Sequence, residues 1–221
     1  MPRPAVSFFL LLLLAAPAHA VIKGSASSHA SFTVRLLGKG TDCSGVVIAR
    51  DALITAAHCA RTTPTIGGRS LRVAGISRSA VLDDGRHVNV SGDAVVLRLA
   101  SPLPPEVTAA PIGDGSGDSY TIVGYGTTDE RRPGPADSPH EAMLVAERPG
   151  AMVDPNRIGS IGASACFGDS GGPVLRGGML VGIISRASHP SSHLVCGHLT
   201  HWVPVTASDS IAAGDFPKNE R

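Results

Sequence analysis

The sequence predicts an all-β protein, a barrel or a sandwich, on three observations. Helical periodicity is scarce, and short Val-, Ile- and Leu-rich runs recur along the chain instead. Gly, Asp, Ser and Pro separate these runs, as turns between short strands require. The 26 glycines among 221 residues fit a fold with many tight turns.

The apolar runs are predicted as strands in chain order, with one short helix near the C-terminus. The helix is predicted over Val203–Ala213, which is weakly apolar. The predicted strands are Phe32–Leu37, Val46–Ile48, Leu53–Ile54, Leu71–Val73, Val88–Val90, Val95–Leu99, Tyr120–Val123, Met143–Ala146, Pro173–Leu175 and Met179–Ser185.

A boundary between two halves is predicted in the segment Ser101–Pro111. This segment holds four of the 17 prolines and separates two strand-rich regions of similar length. Because proline cannot donate to a strand ladder, such a cluster marks a connection between strands. We therefore expect a first unit at about residues 21–105, a second at about 106–205 and a tail at 206–221.

The N-terminal residues 1–20 are typical of a secretory signal peptide. Arg3 precedes a short Phe- and Leu-rich run, and Ala18-His19-Ala20 ends it with small residues at the cleavage positions. A buried helix is the alternative, disfavoured because a Leu tract without a polar face suits no surface helix. No segment is long enough to cross a bilayer comfortably. We expect secretion to the medium or periplasm, with no membrane contact after cleavage.

The charge balance of the processed chain excludes some partners. Without Arg3, 18 basic side chains remain against 18 acidic ones, so the net charge of the side chains is zero. Neither nucleic acid nor an anionic membrane is indicated as a partner.

Four cysteines, an even number, fit an oxidising compartment. Spacing alone permits three ways of pairing them. The local choice joins Cys43 to Cys59 and Cys166 to Cys196. A zinc site is the alternative, disfavoured because no C-x-x-C is present. We expect no bound metal and no cofactor.

The segment Cys166-Phe167-Gly168-Asp169-Ser170-Gly171-Gly172-Pro173 is the most informative part of the chain. Its serine lies between small residues that permit a tight turn and close approach by a substrate. A serine hydroxyl is a weak nucleophile alone, so the interpretation requires a base and an orienting acid elsewhere.

Two further residues supply those groups. His58 ends the apolar run Leu53–Cys59 beside a predicted disulfide, and histidine can accept and return a proton near neutral pH. Asp93 stands at the head of the strand Val95–Leu99, where it could hold the imidazole in one tautomer. Taken alone, each would more often be an ordinary turn or surface residue.

Together these motifs resemble the trypsin/chymotrypsin type of serine protease. Thr55–Cys59 matches the histidine motif of that family, Asp93 the aspartate motif and Gly168–Pro173 the serine motif, in the family's His, Asp, Ser order. Ile122–Thr127 resembles the strand opening the second barrel, with Tyr125 where tryptophan is usual. The resemblance covers nearly the whole processed chain.

The resemblance implies a fold, an activity and residue roles. The fold would be two perpendicular six-stranded antiparallel β-barrels with the site in the cleft between them. The chain would be a serine endopeptidase acting on protein or peptide substrates as a monomer. Ser170 would be the nucleophile, His58 the general base and acid, and Asp93 the orienting carboxylate, while the N–H groups of Gly168 and Ser170 would form the oxyanion hole.

The resemblance also implies how the enzyme is activated. The predicted cleavage site precedes Val21-Ile22-Lys23-Gly24, which resembles the start of the processed family enzymes, with Lys23 departing from the usual glycine. The new Val21 ammonium would pair with the buried carboxylate of Asp169. Signal peptidase would then create the active N-terminus itself. The alternative is that Val21 merely begins a strand and backbone donors satisfy Asp169.

Substrate preference follows from four positions in the same comparison. Ser164 falls at the base of the specificity pocket, where trypsins carry aspartate, so a basic P1 residue is disfavoured. Ser185 lines the substrate channel and supports the aspartate, Ala187 narrows the pocket, and Arg186 replaces a tryptophan. We expect a neutral, apolar P1 side chain, with an acidic one left open by the nearby histidines.

Two other functions remain open at this point. A catalytically silent homologue could serve as a binding protein, although no member of the triad is missing. An esterase could use the same three residues. The short loops and few cysteines further suggest a compact, microbial member of the family without bound metal.

Overall fold

The computed structural model describes residues 20–131, 134 and 136–209. Most of the predicted signal peptide and the end of the predicted tail lie outside these residues. The fold is all-β, as predicted. Its only helical element within the described ranges is a 3-10 turn at Ala57–Cys59.

The first half forms a curled sheet of seven strands in the order β6-β5-β2-β3-β4-β10-β7. Leu71 N–H donates to the carbonyl of Pro64 (2.8 Å), which ties the β6–β7 connection back to β5 as the sheet curls. The strands before the middle of the chain are β1 Ser25–Ala26, β2 Thr33–Leu37, β3 Cys43–Ala49, β4 Ala52–Thr55, β5 Thr63–Ile66, β6 Arg69–Ser70, β7 Val73–Ser77, β8 Ser79–Val81, β9 His87–Asn89 and β10 Val95–Leu99.

The second half forms a closed barrel. Its strands follow the order β12-β11-β14-β15-β16-β13, and an additional pairing of β13 with β12 closes the ring. All these pairings are antiparallel. The strands after the middle of the chain, of which all but β17 belong to this barrel, are β11 Ser119–Gly124, β12 His140–Arg148, β13 Ala151–Val153, β14 Pro173–Arg176, β15 Met179–Ser188, β16 Leu199–Pro204 and β17 Thr206–Ser208.

Each end of the described chain crosses to the other half. β1 pairs with β12 of the second barrel, with Ser25 opposite Glu141. β17 pairs with β9, and together with β8 they make a separate three-stranded sheet. β1 thus lies in the expected first unit, at about 21–105, but pairs with the second barrel, and β17 lies in the expected tail, at 206–221, but pairs with the first half.

Burial follows the strand pattern in both halves. One apolar cluster centres on the first sheet, with Leu36, Leu53 and Leu97 fully buried. A second cluster fills the closed barrel around Leu144 and Met152. Burying each such side chain contributes about 1.5–3 kcal/mol.

Two sequence predictions were wrong in detail. Val203–Ala213 is not a helix where it is described, because β16 and β17 occupy its first residues and pair with β15 and β9. Residues 210–213 of that prediction lie outside the described residues. The strand predicted at Leu71–Val73 begins only at Val73, because Leu71 closes the turn onto Pro64 instead.

Both local disulfides are present, Cys43–Cys59 and Cys166–Cys196, and no free cysteine remains in the described chain. The first fastens the turn after β4 to β3. The second joins the serine-bearing loop to the segment before β16. Over the described ranges, no helix has the length and apolar character needed to span a membrane.

Candidate active site

A cleft of about 890 Å³ lies between the two halves. It brings together the histidine turn, the serine loop and the outer part of β15, which carries Ser185, Arg186 and Ala187. The fourth region that the sequence singled out, at Asp93, does not line the cleft. The residues lining it are Gly38, Gly40, Thr41, Asp42, His58, Gly134, Cys166, Phe167, Gly168, Ser170, Ser185, Arg186, Ala187 and Val195.

His58 lies in the 3-10 turn that follows β4. Ala56 is extended, and the N–H of Cys59 then donates to its carbonyl (2.9 Å), which turns the chain sharply after the strand. The buried disulfide partner Cys59 holds this turn against β3, while the imidazole is 45% exposed to solvent. The sequence thus places a partly exposed base on a rigid turn.

Asp93 orients that imidazole. Its Oδ2 lies 3.0 Å from His58 Nδ1, and its Oδ1 accepts the His58 backbone N–H at 3.2 Å. Gly92, with a φ of +60°, makes the turn that aims the carboxylate at the histidine just before β10. Because the carboxylate can only accept, Nδ1 carries the proton and Nε2 is left as the basic nitrogen.

Ser185 completes the support of Asp93. Its Oγ donates to Asp93 Oδ2 at 2.7 Å. Partial burial raises the pKa of Asp93, but the hydrogen bond from Ser185 and the charge and hydrogen bonds of His58 outweigh it, so the pKa lies below its usual value. Asp93 is therefore ionised at neutral pH.

Ser170 projects into the cleft from a loop that only glycine permits. Gly168 and Gly171 have φ values of +96° and +84°, and a Cβ on Gly168 would lie 2.7 Å from the Cα of Gly126. Ser170 Oγ donates to the carbonyl of Ser185 at 3.2 Å. Among the described residues, no hydrogen bond joins it to His58, so the hydroxyl must rotate to meet the imidazole.

Two backbone N–H groups of the serine loop, those of Gly168 and Ser170, are available to bind an anion. Within the part of the chain that the structure describes, no acceptor pairs with the N–H of Gly168 or of Ser170. The peptide geometry is fixed from behind, because Ser44 Oγ donates to the carbonyl of Gly168 and Ser44 N–H to that of Ser170, both at 2.8 Å. Ser44 was not identified from the sequence, since its role comes from the packing of β3 behind the loop.

Asp169 lies fully buried behind the same loop. Its carboxylate accepts the N–H groups of Gly126 and Cys166, each at 2.8 Å. Burial raises its pKa to about 7, although both hydrogen bonds lower it. No cation pairs with it among the described residues. Gly126 allows the close approach, because a Cβ there would lie 2.5 Å from the carboxylate carbon.

Val21, the expected partner of Asp169, is fully buried in the second barrel. It is bonded to Ala20 in the full-length chain, so it has no ammonium group. Ile22 beside it forms an antiparallel bridge with Ser164, whose carbonyl accepts the Ile22 N–H at 3.0 Å. The N-terminal segment is therefore attached to the segment that leads to the serine loop.

The expected specificity residues separate into two groups. Ser185, Arg186 and Ala187 line the cleft, whereas Ser164 does not. Ser164 is fully buried, with Oγ donating to the Ala165 carbonyl (2.8 Å) and accepting the Gly197 N–H (2.6 Å). Its hydroxyl is fully engaged within the protein in this full-length chain.

Glu130 is a residue near the cleft that the sequence did not reveal. Its two carboxylate oxygens accept the N–H groups of Val195 (2.6 Å) and Cys196 (3.0 Å). No local pattern marks such a contact, because its partners lie more than 60 positions away. Glu130 links two segments that border the cleft, since Gly134 and Val195 both line it.

One group of metal-type ligands occurs at the site, namely Cys43, Cys59 and His58. Its two sulfurs are bonded to each other, so neither is available as a thiolate ligand.

A cleft between two β units that is lined by serine and histidine, with an aspartate hydrogen-bonded to the histidine, is the arrangement of a two-barrel serine protease. The family model described as "Trypsin" matches residues 21–205, so the chain belongs to the trypsin family. Trypsin alpha-4 of Lucilia cuprina is 28% identical over 232 residues, covering 86% of this chain and 88% of that protein.

Solved structures agree on the fold. Neuropsin, a serine protease expressed in the limbic system of mouse brain, has a TM-score of 0.61 at 20% identity, covering 83% of this chain and 93% of the other. The scabies mite inactivated protease paralogue S-D1 has a TM-score of 0.60 at 16% identity, covering 83% and 92%. The microbial origin expected above stays a prediction.

Proposed function

We propose that this trypsin-family protein is a secreted serine endopeptidase that uses Ser170, His58 and Asp93. The supporting observation is the chain of contacts from Ser185 through Asp93 to His58 Nδ1, at 2.7 and 3.0 Å, beside the Ser170 hydroxyl in the same cleft. In the neutral imidazole these contacts place the proton on Nδ1 and leave Nε2 as the acceptor, and His58 lines the cleft.

The proposed reaction proceeds through an acyl-enzyme. Ser170 Oγ rotates away from the Ser185 carbonyl, gives its proton to His58 Nε2 and bonds to the scissile carbonyl carbon. The oxyanion accepts the N–H groups of Gly168 and Ser170. His58 then returns the proton to the departing amine as the C–N bond breaks, and a water molecule repeats the sequence to release the acid.

Substrate preference at P1 is proposed to be neutral and apolar. The resemblance places Ser164 at the pocket base, a hydroxyl rather than a carboxylate, and in the full-length chain that hydroxyl is buried behind the cleft and hydrogen-bonded on both sides. Ala187 and Val195 add apolar surface to the cleft. A basic P1 side chain would therefore lose its hydration without gaining a carboxylate partner.

Activation is proposed to follow from export itself. The uncleaved chain holds Asp169 fully buried with a pKa raised to about 7, which indicates a carboxylate lacking a cation. Cleavage before Val21 would supply an ammonium within the same barrel. N-terminal sequencing of the secreted, fully active protein tests this, and any start other than Val21 would contradict it.

The second candidate is a catalytically silent binding protein. The observation that favours it is the Ser170 hydroxyl, which contacts the Ser185 carbonyl and not His58. One solved relative of similar fold is itself described as inactivated.

A fluorophosphonate probe separates these candidates. The processed protein should form an adduct on Ser170, and the Ser170→Ala variant should not. Cleavage of an unstructured protein substrate and of a simple ester, measured in parallel, distinguishes an endopeptidase from an esterase. Failure of the folded, processed protein to form the adduct would favour the binding role.

A further inference from the structure

We propose that Arg186 makes this protease selective for substrates with an acidic side chain close to the scissile bond, in a subsite separate from P1. This inference rests on the proposed function. It assigns to Arg186 a carboxylate ligand supplied by the substrate.

The first support is that Arg186 is a cation without a partner in the active cleft. Arg186 is exposed and lines the cleft, yet its guanidinium makes no hydrogen bond or ion pair with any residue that the structure describes. The cleft's other charged residue, Asp42, is different. Its carboxylate accepts Arg35 at 3.1 Å and the N–H of Gly38 at 3.3 Å.

The second support is that the surroundings of Arg186 are positive. β-strand pairing places Arg186 opposite His201. Burial lowers the pKa of His201, and the charges of Arg186 and Arg148 lower it further, so both guanidinium groups act on the same small region. Glu147, on the neighbouring part of the barrel, pairs with Arg157 at 3.8 Å, and Asp93, which contacts Ser185, pairs with His58 at 3.0 Å. A carboxylate arriving beside Arg186 would therefore meet a region on which two guanidinium groups act.

The third support is the position of Arg186 relative to the nucleophile. Arg186 follows Ser185, whose carbonyl lies 3.2 Å from Ser170 Oγ. A substrate side chain close to the scissile peptide bond can therefore reach the guanidinium of Arg186.

The strand edge beside Arg186 is also open. β14 pairs with β15 only as far as Ile183, whereas β16 continues to Ser188. An extended peptide can add to such a free edge, with alternate side chains facing the same side. Arg186 would then contact one or two substrate side chains on one side of the scissile bond. Its planar guanidinium can bind a carboxylate through two hydrogen bonds.

The first experiment measures kcat/KM of the processed protein on matched peptides. Each pair carries Glu or Gln at one position, from four residues before the scissile bond to three after it. We expect a preference for Glu of about 5- to 10-fold, confined to one or two positions on one side of the bond. The preference should shrink in 1 M NaCl, because salt screens exposed charges. A ratio near one at every position would overturn the inference.

Variants assign the preference to the side chain. In Arg186→Gln the Glu-to-Gln ratio should fall to about one, and in Arg186→Glu a Lys peptide should replace Glu as the better substrate. The matched control is Arg72→Gln, which removes an exposed arginine outside the cleft and should keep the wild-type ratio. An unchanged ratio in a folded Arg186→Gln protein would overturn the inference.

A binding experiment tests this inference independently of the proposed reaction. The Ser170→Ala protein is titrated with fluorescent Glu and Gln peptides, with and without Arg186→Gln. Tighter binding of the Glu peptide that is lost with Arg186 supports the inference even if no peptide is ever hydrolysed. Hydrolysis without a Glu preference, or equal binding of both peptides, rejects the inference and leaves the proposed reaction to its own test.

Discussion

Glu130 and Val195 are joined by a hydrogen bond of 2.6 Å from the Val195 N–H to Glu130 Oε1. The second oxygen of the same carboxylate accepts the Cys196 N–H, and Cys196 is bonded through its sulfur to Cys166. One side chain thus holds two consecutive peptide groups at the edge of the cleft. The segment bearing Val195 is fixed from two directions.

Removing this carboxylate should loosen substrate binding more than it slows chemistry. For Glu130→Ala we expect KM for an apolar P1 substrate to rise about 5- to 10-fold, since about 1 kcal/mol is typical of a lost hydrogen bond and 1.4 kcal/mol is tenfold. The value of kcat should stay within about twofold. Glu106→Ala is the control, because Glu106 is exposed and contacts no polar group among the described residues. A fall in kcat at constant KM would contradict this role.

Asp93→Asn should abolish most activity without disturbing the fold. An amide can donate to Nδ1 and hold the ring in the opposite tautomer, so Nε2 would carry the proton and could not act as base. We expect kcat at neutral pH to fall by about 10⁴-fold, with KM little changed. Steady-state kinetics and a thermal unfolding curve check both parts. A variant retaining a tenth of the wild-type rate would show that Asp93 does not orient His58.

Ser185→Ala should change how stability depends on pH. The hydrogen bond from Ser185 helps to hold the pKa of Asp93 below its usual value. A carboxylate with a lowered pKa stabilises the folded state above the unfolded value, 3.8, and loses that stabilisation as pH falls through the folded value. The variant should therefore be less stable than wild type above about pH 4, and the difference should shrink on further acidification.

Urea unfolding between pH 2.5 and 6 measures this difference. Ser77→Ala is the matched control, because its hydroxyl donates to the carbonyl of Ser79, which does not titrate. A Ser185→Ala effect that stays constant across this range would indicate lost packing rather than a change at the carboxylate.

The disulfide Cys166–Cys196 should support both stability and the cleft wall. It closes a loop of 30 residues, for which chain-entropy arguments give about 3.5 kcal/mol. Replacing both cysteines by alanine should lower the free energy of unfolding by about that amount and raise KM, because Val195 would then be held by Glu130 alone. Replacing Cys43 and Cys59 should cost about 3 kcal/mol and affect kcat instead, since that bond fixes the His58 turn.

The sequence predicted the elements whose signal is local. The run Val95–Leu99 is apolar except for Arg98 and became a mostly buried strand with the predicted bounds. Cys43 and Cys59 paired as nearest neighbours in the chain. Both depend on residues that lie close together in sequence.

What the sequence could not predict depends on distant partners. β16 reads Leu199-Thr200-His201-Trp202-Val203-Pro204, a mixed run that becomes a strand only because β15 and β13 flank it. Ser44 and Glu130 likewise gain their roles from segments far along the chain. The resemblance of the serine, histidine and aspartate motifs predicted that Ser170, His58 and Asp93 act together, without revealing that Ser170 Oγ contacts the Ser185 carbonyl.

The position of the N-terminus should control activity through Asp169. We expect a chain refolded to begin at Val21 to be active and a chain that keeps Ala20 to be nearly inactive, because one extra residue moves the ammonium by about 3.5 Å. The burial of Asp169 leaves no room for a displaced charge. Active-site titration of the two chains, prepared identically, checks this.

The two chains should also respond oppositely to pH. With Ala20 retained, the Asp169 pKa stays raised to about 7, so this group makes the fold less stable as pH rises from 3.8 to about 7. With Val21 free, pairing raises the pKa of the ammonium above its unfolded value of about 7.7–8.0. That stabilisation is complete below this value and is lost as pH rises through the folded pKa. An alkaline loss of activity that is identical in both chains would show that Val21 and Asp169 do not pair.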